Sequence, residues 1–308
     1  MSEASDLERE EQLAELLEEV RRILVLSKRL VAEMMAGGYV SAFRGSGIEF
    51  DEVREFVDGD DPRSIDWNVT ARTGRPFIKK FIDERERTVI NLVDISASMD
   101  AGFSFWSLRE VAARVCACLS LSAVQNDDKV GLACVSSELD AYVPPRKGMG
   151  HVLRIVRDCL VQPGSGQPGD LGAGLEFVSR VLRKHAIVFV ISDFLGEGWR
   201  EALSRCSQRH DVVAVRLLPP ELEIPKRGLL RVRDPETGQA CVLDFAQRKQ
   251  REFFGERVRD WRRRCDEDLG RCRVDIMDVE VPREADLDAI ARPILDFFRM
   301  RAARGSKR

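Results

Sequence analysis

Two kinds of site are disfavoured by what this sequence lacks. It has eight cysteines in 308 residues, but none forms a Cys-x-x-Cys pair. Its three histidines, at 151, 185 and 210, do not lie close to two cysteines at a metal-binding spacing. Zinc sites and disulfide frameworks need cysteines at characteristic spacings. We therefore expect neither, and interpret the cysteines as reduced thiols of a cytoplasmic protein.

Long apolar runs and an excess of positive charge are also absent. The longest apolar run covers residues 186–191, and no apolar segment follows a basic start, so we expect no membrane span and no signal peptide. Lys and Arg total 49 against 52 Asp and Glu. This balance argues against nucleic-acid binding, which needs a positive surface.

What the sequence does contain, from residue 88 onward, is an alternation of strand and helix patterns. Apolar or β-branched runs at 88–93, 129–135, 186–191 and 211–217 indicate strands, and amphipathic segments between them indicate helices. Residues 139–143 predict a hairpin partner that stops at Pro144-Pro145, and residues 229–232 and 240–243 predict an inserted hairpin. The pattern predicts an α/β fold with a doubly wound, mostly parallel sheet and helices on both faces.

Four regions follow from these patterns. Residues 1–36 predict an amphipathic helix that packs on its own domain or docks onto a partner helix. Residues 37–86 form a polar, Arg- and Asp-rich module without helical or strand periodicity, either an array of surface loops or a site. Residues 87–300 carry the α/β pattern, and residues 301–308 form a basic tail expected to be solvated.

Oxygen-bearing side chains follow the first predicted strand of the α/β region. Asp94, Ser96 and Ser98 stand at i, i+2 and i+4, a spacing at which alternate side chains of an extended loop face the same way. Carboxylate and hydroxyl oxygens suit Mg²⁺, with Mn²⁺ or Ca²⁺ as substitutes. The alternative is a serine-rich turn that caps the next helix. Asp193 ends the run at 186–191, so it shares a rim with Asp94 if the two strands are neighbours. Asp170 and Ser165 are further oxygen donors.

These motifs together resemble the metal-ion-dependent adhesion site of von Willebrand factor A domains. More narrowly, the chain resembles the bacterial family called domain of unknown function 58, through the segments around Arg54 to Arg72, Asp94 to Met99 and Ile191 to Phe194. The resemblance implies an A-type fold and a non-enzymatic role as an interaction adaptor for a MoxR-type AAA+ ATPase. It implies that Ser96 and Ser98 bind Mg²⁺ directly, and that Asp94 and Asp193 bind it directly or through water. A partner's acidic side chain would complete the coordination.

One departure from the family pattern affects this expectation. The family usually reads Gly-Thr-Asp-Leu before residue 171, with the Thr as a ligand, whereas this chain has Gly169 in that position. Either Asp170, Ser165 or water substitutes, or the metal site is weakened. A metal-independent scaffold is therefore the alternative function.

An Mg²⁺-dependent phosphohydrolase with Asp94 as its nucleophile is a third hypothesis. It is disfavoured because Ser96 stands where a second acid would donate a proton, and because no P-loop is present.

The module at 37–86 supplies a second group of candidate residues, either a structural ion-pair network anchored by a tryptophan or a surface that faces the partner. Its members are Arg54, Asp60, Asp61, Arg63, Asp66, Trp67 and Arg72.

Overall fold

The computed structural model describes residues 18, 20–23, 25, 48–57, 60–61, 64–83, 86–100, 102, 104–163, 169–235 and 238–305. Its strands are β1 (Ile48–Glu55), β2 (Phe77–Asp83), β3 (Thr88–Asp94), β4 (Lys129–Val135), β5 (Leu139–Arg146), β6 (Ile187–Ser192), β7 (Asp211–Leu218), β8 (Leu229–Arg233), β9 (Ala240–Asp244) and β10 (Asp275–Glu280). Its helices are α1 (Trp67–Thr73), α2 (Leu108–Gln125), α3 (Met149–Val161), α4 (Leu171–Val181), α5 (Trp199–Ser207), α6 (Arg248–Arg271) and α7 (Leu287–Gly305).

The central sheet has the strand order β10-β7-β6-β3-β4-β5. All neighbouring strands pair in parallel except β5, which runs antiparallel to β4 at the edge. The predicted fold class, a doubly wound and mostly parallel sheet, is confirmed. After β3 the chain builds β4 and β5 on one side of this strand, and it then crosses to build β6, β7 and β10 on the other side. This reversal of strand order places a topological switch point at the carboxyl end of β3.

Helices cover both faces of this sheet, and β3 shows how. Val89 and Val93 pack into one apolar cluster with residues of α2, α3 and α7. Ile90 and Leu92 point the other way, into a cluster with residues of α4, α5 and α6. Fully burying such a side chain contributes about 1.5–3 kcal/mol. A strand buried on both faces reads as a continuous apolar run, as seen in the sequence at 88–93.

Two predicted boundaries were wrong. β5 continues through Pro144 and Pro145 to Arg146, because an edge strand tolerates residues that cannot donate to a ladder. The predicted basic tail at 301–308 begins inside α7, which runs to Gly305. Arg301 is mostly buried there and pairs with Asp211 and Asp275 at 2.9 and 3.2 Å, so it anchors the helix rather than a solvated end.

The module at 37–86 is more regular than its sequence suggested. β1 and β2 form an antiparallel pair with a register shift between Phe50 and Glu52, and α1 lies between them in the chain. Asp66 caps α1 by accepting from the backbone N–H groups of Asn68 and Val69, and Gly74 ends the helix at φ +70°. The segment therefore contains regular structure and is not simply an array of loops.

Part of the predicted N-terminal helix is described. Glu18, residues 20–23 and Val25 are helical, and Val20 and Ile23 are buried in the same apolar cluster as α2 and α7. Their burial supports packing of this segment on its own domain. The remainder of residues 1–36 lies outside the described residues. Within the described ranges, no helix is both long enough and apolar enough to cross a membrane.

Candidate functional site

The predicted aspartates do lie on one rim of the sheet. Asp94 is the last residue of β3, and Asp193 directly follows β6. The two strands are parallel neighbours, with Val93 opposite Ile191. Because the carboxyl ends of neighbouring parallel strands meet at one edge, both carboxylates come to the switch point of the sheet.

Hydrogen bonds hold the Asp94 carboxylate in place. Its Oδ1 accepts from the Ser96 backbone N–H at 2.9 Å, and its Oδ2 accepts from the Ser192 hydroxyl at 2.7 Å. Ser96 Oγ lies 3.2 Å from Ser98 Oγ. All four side chains are buried. The hydroxyls of the Asp-x-Ser-x-Ser motif therefore converge beside a carboxylate whose orientation is already fixed.

The loop after β6 is equally constrained. Asp193 Oδ1 accepts from the Leu195 N–H at 3.0 Å, and the Phe194 N–H donates to Ser192 Oγ at 3.0 Å. Phe194 adopts φ +55°, an unusual conformation for a residue with a bulky side chain. Its ring packs edge-on against Trp199 with ring centroids 5.3 Å apart, and its carbonyl accepts from Trp261 Nε1 of α6 at 3.3 Å. Packing from two helices thus holds the backbone that presents Asp193.

A small cavity of about 10 Å³ opens between these two loops. That volume holds roughly one water-sized group. The cavity is lined by Asp94, Ser96, Gly169, Leu171, Ser192, Asp193, Phe194, Gly196, Glu197 and Trp199. Its carboxylate and hydroxyl oxygens are the donors that a hard cation prefers. Ser98 is not among the lining residues, but its Oγ lies 3.2 Å from Ser96 Oγ at the edge of this space. The donor chemistry therefore fits a single Mg²⁺ held by Asp94, Ser96 and Asp193, with Ser98 as the adjoining hydroxyl.

The donors combine carboxylates with hydroxyls, since Asp94, Asp193 and Glu197 line the cavity beside Ser96 and Ser192. In the described ranges, no cluster of three or more His, Cys, Asp or Glu side chains is arranged to hold a metal. Any ion at this rim would therefore depend on Ser96 and Ser98. A cation that the serines bind directly, with the aspartates acting through water, would keep affinity for a further carboxylate from outside.

Gly169 and Asp170 occupy the third loop of the site. A Cβ at position 169 would lie 2.9 Å from Ser96 Cβ and 3.2 Å from Ser96 Oγ, so the glycine backbone packs directly against the motif. The Asp170 side chain caps α4 by accepting from the Ala173 N–H at 3.1 Å. Asp170 is not among the cavity-lining residues. Its predicted role as a replacement ligand gains no support from this geometry, and Ser165 lies outside the described residues.

Sequence reasoning missed three residues that shape the site. Ser192 fixes both Asp94 and Phe194, and Glu197 lines the cavity as a further acid. Arg109 of α2 is buried, pairs with Asp100 at 2.6 Å and donates to the Ile95 carbonyl at 3.1 Å, which braces the motif loop from behind. Two of these residues could have been found in the sequence: Ser192 directly precedes Asp193, and Arg109 is a charged residue on the apolar side of a predicted helix.

The residues of the 37–86 module divide into structural and exposed groups. Arg54 forms a bidentate pair with Asp60 at 2.7 and 2.8 Å, and this hydrogen-bonded guanidinium lowers the pKa of Asp60. Asp66 is the buried cap of α1. Asp61, Trp67 and Arg72 are exposed, and Trp67 keeps 70% of its surface accessible. Arg63 lies outside the described residues.

A family model described as "Protein of unknown function DUF58" matches residues 52–264, which covers β2, the site rim and most of α6. The chain belongs to the DUF58 family. The match includes both the Arg54–Arg72 module and the Asp94 and Asp193 loops, so the likeness to the family extends over both parts of the chain. The region for which the sequence predicted an A-type domain contains the central sheet of this DUF58 chain.

Similar proteins include the "Uncharacterized protein Rv1480" of Mycobacterium tuberculosis and the "Uncharacterized protein Mb1516" of Mycobacterium bovis. Each is 30% identical over 231 residues, which cover 74% of this chain and 72% of the relative. Among solved structures, the conserved hypothetical protein BatB of Bacteroides thetaiotaomicron is 18% identical, with a TM-score of 0.42 and coverage of 70% of this chain and 99% of that one. The SpRpn10 VWA domain is 11% identical, with a TM-score of 0.38 and coverage of 68% and 93%.

Proposed function

We propose that this DUF58 protein is a non-enzymatic, cytoplasmic interaction adaptor whose A-type rim binds an acidic residue of a protein partner through Mg²⁺. The observation that carries the proposal is the convergence of Asp94, Ser96 and Asp193 around a cavity of about 10 Å³ at the switch point of the sheet, with Ser98 Oγ 3.2 Å from Ser96 Oγ. Such a cavity suits a single ion that an oxygen ligand of a partner reaches from outside.

The partner we propose is a MoxR-type AAA+ ATPase, in a chaperone-like or cofactor-insertion assembly. Support comes from the resemblance on which the family was recognised and from the chemistry of the rim. With Ser96 and Ser98 bound to Mg²⁺ directly and the two aspartates acting through water, the ion keeps much of its charge and so attracts a carboxylate. The resulting contact depends on both the ion and the acid.

Capture of the purified ATPase by the immobilised full chain tests this proposal. We expect capture in Mg²⁺, its loss in chelator, and its loss in Ser98→Ala. Ser98→Ala removes one hydroxyl, which lies 3.2 Å from Ser96 Oγ, and it leaves both hydrogen bonds of the Asp94 carboxylate in place. Asp296→Ala on α7, an exposed carboxylate remote from the rim, is the matched control. Equal capture in Mg²⁺, in chelator and by Ser98→Ala would show that the contact does not depend on a metal ion.

A metal-independent scaffold is the second candidate, and Gly169 is the observation that favours it. Gly169 has no side-chain oxygen, and its backbone already packs against Ser96 where a threonine would need space. This candidate predicts no heat of Mg²⁺ binding in calorimetry but unchanged ATPase capture. The exposed face of the module, with Trp67 and Arg72, would then carry the contact.

A further inference from the structure

The hairpin β8–β9 is separate from the central sheet and unusually exposed. Every residue of β8 is exposed, whereas the last two residues of β9 are partly covered. Leu229 keeps 70% of its surface accessible and Val242 keeps 56%. In the described ranges, no strand other than β9 pairs with β8. An exposed apolar strand with a free edge is normally protected unless it has a partner.

The ladder geometry shows which backbone groups face that free edge. The Phe245 N–H donates to the Gly228 carbonyl, and the Asp234 N–H donates to the Gln239 carbonyl, both at 2.8 Å. Residues 228 and 234 therefore direct their backbones toward β9, and so do the even-numbered residues between them. Leu229, Arg231 and Arg233 direct their N–H and C=O groups outward, where an additional strand would hydrogen-bond.

The charges along this edge are also uncompensated. Arg231 and Arg233 make no ion pair with any described residue, and neither do Lys226 and Arg227 just before the strand. Some exposed arginines elsewhere have a partner, such as Arg205 with Glu176 at 2.5 Å and Arg283 with Glu223 at 2.8 Å, whereas others, such as Arg257 of α6, make no ion pair with a described residue. Two unpaired guanidinium groups two residues apart on one face of a strand call for two carboxylates at the same spacing.

We propose that β8 is a docking edge for an extended acidic segment of another protein, which adds to the hairpin as an antiparallel strand. Acidic residues would stand opposite Arg233 and Arg231. Apolar residues would stand opposite Val232, Leu230 and Leu229. Read in its own direction, the segment therefore has the pattern acidic, apolar, acidic, apolar, apolar. This docking edge is independent of the Mg²⁺ site.

Two other occupants fit the charges less well. A second copy pairing antiparallel through β8 about Arg231 would place that arginine opposite its own counterpart, a destabilising like-charge pair. An anionic membrane would meet the acidic residues Asp234 and Glu236 that the sequence places in the turn between the strands. The acidic segment avoids both conflicts.

Fluorescence polarisation with the full chain and a labelled peptide tests the proposal. The probe carries the sequence EVEVL between Gly-Ser flanks, and the control peptide carries KVKVL. We expect the acidic peptide to bind at least about tenfold more tightly, because two cross-strand charge pairs each change from favourable to unfavourable. The double variant Arg231→Glu, Arg233→Glu should reverse this preference, whereas Arg299→Glu on α7 should leave it unchanged.

A backbone variant separates strand addition from simple charge attraction. Arg231→Pro removes the outward N–H as well as the charge, whereas Arg231→Ala removes the charge alone. We expect the proline variant to bind at least about threefold more weakly than the alanine variant, since one edge hydrogen bond is lost. Ser98→Ala should not affect peptide binding, so the Mg²⁺ proposal and this proposal can fail separately.

Three results would overturn the proposal: equal binding of the two peptides, equal binding by the proline and alanine variants, or no effect of the double reversal. Sedimentation velocity that showed a dimer dissolved by Arg231→Glu would assign the edge to a second copy instead. The edge would be assigned to a membrane if the wild-type chain co-sedimented with phosphatidylserine vesicles, Arg231→Glu abolished that binding, and the wild-type chain bound neither peptide.

Discussion

Replacing Ser192 with alanine should disrupt the rim of the sheet more than any other single hydroxyl removal. Ser192 Oγ donates to Asp94 Oδ2 at 2.7 Å and accepts from the Phe194 N–H at 3.0 Å. Removing a hydrogen bond to a charged group typically costs about 1.5–3 kcal/mol, and leaving a buried N–H unsatisfied costs about 1–3 kcal/mol. Both bonds share one hydroxyl, so the losses are not fully additive. We expect the free energy of unfolding to fall by about 2–4 kcal/mol.

Urea unfolding followed by circular dichroism, at neutral pH in chelator, measures this change. Ser122→Ala is the matched control, because Ser122 is also fully buried but donates to the Cys118 carbonyl within α2 at 2.8 Å. Alanine is a stronger helix former than serine, so the control should lose less than about 1 kcal/mol. A Ser192→Ala protein within about 0.5 kcal/mol of wild type, or no less stable than the control, would refute this reasoning.

Two further predictions concern pH and the module. His210 is 4% exposed, and burial first, then the nearby charges of Arg209 and His185, lowers its pKa from 6.5 to about 4. Below pH 6.5 the unfolded chain binds a proton at this imidazole that the folded chain does not. The free energy of unfolding is therefore unaffected above pH 6.5 and falls by up to about 3 kcal/mol as the pH drops to 4. Urea titrations between pH 7 and 4 should show a shallower decline for His210→Phe, and identical slopes would contradict this assignment. Trp67→Ala should change stability by less than about 0.5 kcal/mol, whereas Asp66→Ala removes the α1 cap and should cost about 1 kcal/mol in thermal unfolding. A large loss in Trp67→Ala would show that this tryptophan is structural.

The position of the candidate site could be predicted because its residues end strands that the sequence marks clearly. β3 and β6 are buried on both faces, so their apolar runs stop abruptly at Asp94 and Asp193. The sequence left open whether these strands are neighbours, and the sheet order with β6 beside β3 meets that condition. The rim itself needed only these two strand ends and the serine spacing.

Other parts of the site depend on contacts between distant residues, which the sequence does not reveal. The Trp261 indole reaches the Phe194 carbonyl across 67 residues of chain, and Ser192 reaches Asp94 across 98. The close packing of Gly169 against Ser96 also arises only when the loops meet. The strands β1 and β2 lacked a clear period in the sequence, so their pairing was not foreseen.

The dissociation constant of the complex with the MoxR-type ATPase, measured against free Mg²⁺ concentration for wild type and Ser98→Ala, tests the central claim most directly. The account predicts that saturating Mg²⁺ tightens the wild-type complex by at least about tenfold, equivalent to about 1.4 kcal/mol, and leaves the variant at its chelator value. A wild-type constant that is the same with Mg²⁺ and with chelator would contradict the account.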